Sequence, residues 1–377
     1  MTGSIPQEAT IALAIQGGGA HGAFAWGVLD RLLEQGVRPA RLCGVSSGAL
    51  CALVVAQGLA RGGPEAARAG LRTLWQEIGR AHDAGPLSRG PLERWLFGWD
   101  LSNNLAWASM EAAGRLFSPA QLNPFGHNPL RAVVRDLFDA DALRLPGAPR
   151  LAVGATDVET GQAVIFDNET ITVDALLASA CVPFVFPAVG IAGRHYWDGG
   201  YSGNPPLAPL MHPRPPDDLL LIRVQPRTRP GVPRDSAEIL NRVNEIAFQT
   251  ALDAELSMLP AGVRLHSYAA DKALADLPIT SKLNPEPDFL RELFRAGRAA
   301  LAVGAEPEGE AVVADGEAER LRAEISSLRH DLRGALSPAL LRADALSRHE
   351  NGGVRAQAEG ILASLNAARA RLGRDAG

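Results

Sequence analysis

The chain has 377 residues, 46% of them hydrophobic and 21% charged, enough for one large globular domain with an appendage or for two domains. A formal net charge of −5 offers no basic face for nucleic acid, and three cysteines (Cys43, Cys51, Cys181) cannot make a disulfide framework. The first ten residues carry neither a basic stretch nor a long apolar core, and no run approaches the ~18 apolar residues of a membrane-crossing helix, so a cytoplasmic location is expected, with no cofactor and no metal ion.

Ile11 to Ile15 is a continuous apolar run of strand length, suited to a buried parallel strand. It runs into Gln16-Gly17-Gly18-Gly19-Ala20-His21-Gly22. From Ala23 to Glu34 the period is helical, with Phe24, Val28, Leu29, Leu32 and Leu33 on one face. A second short strand, Leu42 to Val45, leads into Gly44-Val45-Ser46-Ser47-Gly48 and then a helix-like run from Ala49. This is the strand-turn-helix setting in which Gly-x-Ser-x-Gly projects a nucleophilic serine from a sharp turn. The helix that follows brings unpaired N–H groups and partial positive charge to where an oxyanion would form.

The glycine loop has two readings. Gly17-x-Gly19-x-x-Gly22 fits a dinucleotide fingerprint, but that reading needs a ribose-binding carboxylate about 20 residues on, at the end of the second strand. That strand ends in Ser46-Ser47-Gly48. The other use of the same geometry is an oxyanion hole at a helix N-terminus, and a parallel sheet would bring the loop beside Ser46. The oxyanion reading is preferred, with Gly17, Gly18 and Gly19 supplying it.

Helices are expected at Ala49 to Ala60 and Gly63 to Arg80. Residues 82–127 change character: Trp95, Trp99 and Trp107 fall here with Phe97, Phe117 and Phe125 among many helix breakers. Such a segment reads as a cap or lid over an apolar cleft or a surface that touches lipid, or else as an insertion packed on the core. Asn128 to Phe138 reads as a helix. Leu151 to Ala155 and Gln162 to Phe166 read as a hairpin; Asp157 at the strand end is a candidate acid or base, with capping of the turn the preferred role. Val173 to Cys181 suits a short helix, and Val189 to Trp197 a strand pair turning at Gly193. That pair ends in Asp198-Gly199-Gly200, a turn that leaves a carboxylate free to aim, though the pattern alone is also an ordinary hairpin signal. Leu219 to Val224, a long helix at Ser236 to Leu259 with Ser236 as N-cap, Val263 to Tyr268, and a closing helix at Asp288 to Ala302 complete the core. Beyond Glu306 the composition shifts to Ala, Glu, Arg and Leu. Leu321, Ile325, Leu328 and Leu332 recur at helical spacing, as for amphipathic helices that pack on the core or pair two chains in a homodimer.

Together the ordered motifs resemble the patatin-like phospholipase family: the glycine loop and its helix, Gly44 to Ala49, Ala178-Ser179 with Pro183 and Phe186-Pro187, and Asp198-Gly199-Gly200. The resemblance covers roughly Ile11 to Leu301. It implies an α/β class chain with a three-layer α/β/α fold and a mainly parallel central sheet. The expected division is a catalytic domain over 1–305, with 82–127 as a cap or lid insertion, and a helical C-terminal extension over 306–377 that lies outside the resemblance. The resemblance also implies a Ser-Asp dyad of Ser46 and Asp198, with Gly17 to Gly19 as the oxyanion loop. His21 stands where the family usually has Arg or Lys for a lipid phosphate, and Phe184 where a small residue is common. His21, Phe184, Trp95 and Trp99 are accordingly the expected substrate-binding side chains.

A free serine hydroxyl needs a base. The downstream histidines His195, His212 and His266 sit in no loop typical of a catalytic triad. Direct proton transfer to Asp198 is the alternative, and it requires desolvation to lift an aspartate from its reference value of about 3.9. The expected activity is hydrolysis of lipid or phospholipid carboxylic esters through an acyl-enzyme, with peripheral contact to a membrane. A soluble carboxylesterase or polyester hydrolase is the enzymatic alternative, and a nucleotide-binding module the non-hydrolytic one.

Overall fold

The computed structural model describes residues 10–303 apart from 84, 86, 90–92, 94–97, 103, 115, 184, 230, 234–235 and 275–276. Trp95, Phe97, Phe184, the side chain of Ser236 and the helices expected beyond Glu306 lie outside the described residues.

Eight strands form one sheet: β1 (Ile11–Ile15), β2 (Arg41–Gly44), β3 (Arg150–Asp157), β4 (Ala163–Asp167), β5 (Val189–Ile191), β6 (Arg194–Asp198), β7 (Asp218–Arg223) and β8 (Arg264–Ala269). The hydrogen-bonded path runs β5-β6-β3-β2-β1-β7-β8, with β4 also on β3. The strands β3, β2, β1, β7 and β8 are mutually parallel, while β4, β5 and β6 enter by antiparallel pairs. The main helices are α1 (Gly22–Glu34), α2 (Ser47–Asp83), α3 (Leu105–Gly114), α4 (Leu130–Leu137), α5 (Val173–Ser179), α6 (Ser236–Ser257) and α7 (Pro287–Val303).

The two-residue period of a strand explains why β1 is apolar throughout. Leu13 and Ile15 enter a large cluster with Phe24, Val28, Leu29, Leu53 and Phe289, which belong to α1, α2 and α7. Ala12 and Ala14 face the other way, with Cys43, Leu207, Leu210 and Leu252. Both faces of the sheet are covered, giving the three-layer α/β/α architecture. Full burial of each Leu or Ile in these clusters contributes roughly 1.5–3 kcal/mol. The two helices expected at 49–60 and 63–80 share an axis only up to a break: Gly62 and Gly63 leave helical geometry, with φ 76 at Gly63.

The register of β3 brings distant segments together. Ala155 pairs with Val164 of β4 and with Asp198 of β6, so β4 and β6 lie on opposite edges of β3. Val153 pairs with Phe166 of β4 and with Gly44 of β2, so β2 and β6 share an edge. On that edge β2 pairs no further than Val153, and β6 takes over at Ala155. Ser46 is two residues beyond Gly44, which puts it level with Ala155 and hence beside Asp198.

Candidate active site

Ser46 leaves β2 with φ 54, the left-handed region that a side chain rarely adopts and that costs of order 1–3 kcal/mol. Its N–H donates to Ser179 at the end of α5, to the carbonyl at 3.1 Å and the hydroxyl at 3.0 Å. Helix α2 starts at the next residue and crosses close over the end of β1. A Cβ on Gly48 would fall 2.4 Å from the Ile15 carbonyl oxygen, so only glycine fits this turn.

Asp198 is held on three sides. Its N–H donates to the Cys181 carbonyl at 2.8 Å, its carbonyl accepts from the Thr156 hydroxyl at 2.8 Å, and its Oδ1 accepts from the Gly200 N–H at 2.8 Å. The residue is 5% exposed. Burial pushes the carboxyl from 3.8 up to about 6, against the opposing hydrogen bonds from Gly200 and the Ser46 side chain. At 1.36 kcal/mol per pKa unit, that shift means its ionised form costs about 3 kcal/mol in the native state. Helix α6 walls this corner: Phe248 lies against Gly200, and its ring meets Tyr201 edge-on at 5.1 Å.

The glycine loop runs beside the serine, for a Cβ on Gly17 would fall 2.8 Å from Ser46 Cβ. Its N–H groups are not equivalent. Gly17 donates to Asn204 Oδ1 at 2.8 Å, and Gly18 to the Ser47 hydroxyl at 3.2 Å. Among the described residues no acceptor is in place for the Gly19 N–H. The Gly17 carbonyl accepts from Gln225 Nε2 at 2.9 Å, so Asn204 and Gln225 hold the two peptides that flank the Gly17 Cα. Sequence reading missed both, along with Ser179 as the anchor of the Ser46 N–H. The available signals were the rigid Asn204-Pro205-Pro206 run after Asp198 and the placement of Gln225 just past a buried strand.

Two of the four expected substrate-binding side chains behave differently. His21 is 1% exposed, with Nε2 2.8 Å from the Ser281 hydroxyl and its ring edge-on to Phe289. Burial, then Lys282 and Arg229, hold its pKa well below the ordinary histidine value. His21 is therefore a neutral interior packing residue and not the substrate contact its position suggested. Trp99 is half-buried and packs on Phe289, ring centroids 5.1 Å apart, against the edge of the core. Trp95 and Phe184 are outside the described residues. His266 bonds Asp218 at 2.8 Å at the far edge of the sheet, and among the described residues no hydrogen bond joins a histidine to Ser46 or Asp198. Asp157 caps its turn as expected, accepting from the Glu159 and Thr160 N–H groups.

Cations do gather near the loop, from another element. Lys282 donates to Asn241 and to Glu245, both at 2.9 Å, and Arg229 donates to Glu245 at 2.9 Å. Burial lowers Lys282 to about 8. For Glu245 burial works in the opposite sense, and the bonds from Arg229 and Lys282 hold it at about 2.

A strained serine on a glycine elbow, a buried carboxylate beside it and a glycine loop on the same sheet edge coincide with the extent of a family match. The model of the patatin-like phospholipase family matches residues 13–211. The chain belongs to this family. Patatin-like proteins are hydrolases of lipid esters, and this chain is one of them. No curated protein matches it in sequence. Among solved structures it is similar to VipD from Legionella pneumophila, at 12% identity over 98% of this chain and 89% of that one, with TM-score 0.32. It is also similar to ExoU from Pseudomonas aeruginosa, at 16% identity over 95% and 70%, with TM-score 0.27. ExoU in complex with SpcU gives 16% identity over 95% and 68%, also with TM-score 0.27.

Proposed function

We propose that this patatin-like protein hydrolyses the carboxylic esters of lipids with Ser46 as nucleophile and Asp198 as its base, through an acyl-enzyme. The observation that carries this is the burial of Asp198 next to Ser46, which lifts its carboxyl to about 6. At that value it is ionised near neutral pH yet basic enough to take the serine proton, which is the match a general base requires. The carboxylate removes the proton as Ser46 Oγ attacks the ester carbon. The Gly19 N–H, joined by Gly18 when it releases the Ser47 hydroxyl, receives the developing oxyanion. Asp198 then returns the proton to the leaving alcohol, and water repeats the sequence on the acyl-serine. A nucleotide-binding loop is disfavoured, because the Gly17 N–H is committed to Asn204 and β2 leads into Ser46-Ser47-Gly48 with no carboxylate to hold a ribose.

A lipid surface as the source of substrate is favoured by residues 105–125. Helix α3 buries no residue, and Leu105, Leu116, Phe117, Leu122 and Phe125 are all exposed, Phe125 at 96%. Exposed apolar clusters of this kind mark contacts with a partner or a membrane. Among the described residues no helix is long and apolar enough to cross one. We take residues 1–305 as the catalytic domain and 306–377 as its extension. Release of fatty acid from phospholipid vesicles, set against turnover of dispersed short-chain p-nitrophenyl esters, tests the substrate class. Faster turnover on vesicles is expected. Activity confined to dispersed esters would replace the lipid reading with a soluble carboxylesterase.

A further inference from the structure

The opposite edge of the same strands holds a second site. Arg41 opens β2 and Arg150 opens β3, and the two are register partners in the parallel pair. Their side chains leave the same face of neighbouring strands, which lie about 4.8 Å apart. Like charges placed opposite each other on adjacent strands are destabilising. Arg214 adds a third cation: its carbonyl accepts from Arg41 Nη1 at 2.5 Å, and both Arg150 and Arg214, after burial itself, hold the Arg41 pKa below its usual value. Among the described residues no carboxylate forms an ion pair with Arg41, Arg150 or Arg214.

Arg41 and Arg150 border a cavity of about 400 Å³, whose lining also includes His212, Ala152, Ile165, Pro209 and Leu210. Two carboxylates reach the rim and both are engaged elsewhere. Asp167 Oδ1 accepts from the Thr170 N–H and hydroxyl, and Glu169 pairs with Arg144 at 3.5 Å. Arg41 is 7% exposed, and its Nη1 is used on the carbonyls of Leu210, at 2.6 Å, and Arg214. Among the described residues its Nε and Nη2 have no acceptor, and Arg41 lines the cavity.

We propose that this cavity binds a phosphate-bearing ligand, with the phosphate bridging Arg41 and Arg150 and an apolar moiety against Ala152, Ile165 and Leu210, which share their face of the sheet. A guanidinium cannot shed its charge as a buried carboxyl can; carbonyls of Leu210, Arg214 and His212 take some of the donors, and an anion between the two would relieve the remaining repulsion. Two planar forks side by side present more donors than the two oxygens of a carboxylate can take, whereas a tetrahedral phosphate has three terminal oxygens for them. The volume exceeds what inorganic phosphate fills and falls in the range of small-ligand pockets. The site lies one strand length from Ser46 and is independent of the ester chemistry.

Thermal unfolding of the full chain tests it, titrated with inorganic phosphate at constant ionic strength and with chloride as the control. The unfolding midpoint should climb with phosphate and not with chloride, and Arg150→Ala and Arg150→Glu should flatten the climb. Arg150 is exposed, so both variants should fold and retain wild-type ester turnover, whereas Arg41→Ala would also free the Leu210 and Arg214 carbonyls. No phosphate-dependent shift, or the same shift in Arg150→Glu as in wild type, overturns the proposal. Flotation with phosphatidylcholine vesicles, with and without phosphatidic acid, identifies the source. Arg150-dependent flotation only with phosphatidic acid assigns a lipid headgroup, and a phosphate shift without flotation assigns a soluble phosphate compound.

Discussion

The two ends of β2 and β3 solve one electrostatic problem in opposite ways. At their C-terminal end, Asp198 is desolvated with few donors, and the carboxyl relieves the strain by binding a proton more tightly, to about 6. At their N-terminal end, Arg41 is equally enclosed among like charges but has no proton it can lose at physiological pH. On the proposed reading the first arrangement serves as a base and the second as an anion receptor. Burial alone therefore does not say what a charged side chain is for. Whether the group can titrate, and which partners it lacks, decides between chemistry and binding.

The largest effect belongs to the C-terminal edge. Ser46→Ala and Asp198→Asn should each lower p-nitrophenyl ester turnover by about 10³-fold or more, the scale seen when one member of a catalytic unit is removed. Near-normal turnover in Asp198→Asn would sink the dyad, and an equal loss in His266→Ala would put a histidine in its place.

The same substitution sharpens the contrast through stability. Because the native carboxyl is raised above its unfolded value of about 3.9, the folded state binds the proton more tightly between those two values. Stability from this group is full below about pH 4, falls as the pH rises through about 6, and then stays reduced. Asp198→Asn lacks that penalty and keeps an acceptor for the Gly200 N–H. It should be more stable than wild type by up to about 3 kcal/mol at pH 8 and by much less at pH 4, measured by denaturant unfolding. The matching kinetic expectation is an acid limb in kcat/KM with an apparent pKa of about 6, activity rising with pH as the base is freed. A limb near 4 would mean that burial does not tune Asp198.

A smaller effect tests the clamp on the glycine loop. Asn204→Ala leaves the buried Gly17 N–H without its acceptor, which costs about 1–3 kcal/mol of stability. If Asn204 also aims the loop, kcat should fall with KM little changed, and Asn204→Asp should recover part of it because one oxygen can still accept. Smallest is the surface effect. Phe125→Ser should weaken vesicle binding and leave turnover of dispersed short-chain esters unaltered.

How much was legible in the sequence follows from how local each feature is. β1 was bounded correctly because both faces of a five-residue strand are buried, so every residue is apolar. The serine elbow and the Asp198 turn were readable because their glycines sit within a few positions of the functional residue. What escaped is held together across long separations. Asn204 meets Gly17 from 187 residues away, and Arg41 meets Arg150 only through strand register. His21 looked like a ligand-facing side chain because its loop faces the site, but its ring turns inward to Ser281, 260 residues on. Trp99 looked like a lid residue because of its neighbours, yet its partner Phe289 lies on the closing helix. Local pattern locates a turn, but it does not say which way a side chain leaves it.

The most direct test is covalent labelling by a fluorophosphonate, followed by intact-mass and peptide analysis of wild type and Asp198→Asn. The expected result is one adduct on Ser46 in wild type, and labelling of Asp198→Asn slower by about 10³-fold while its fold is retained, since the serine has lost its base. Labelling of Asp198→Asn at the wild-type rate, or an adduct on any residue other than Ser46, would contradict a Ser46–Asp198 dyad.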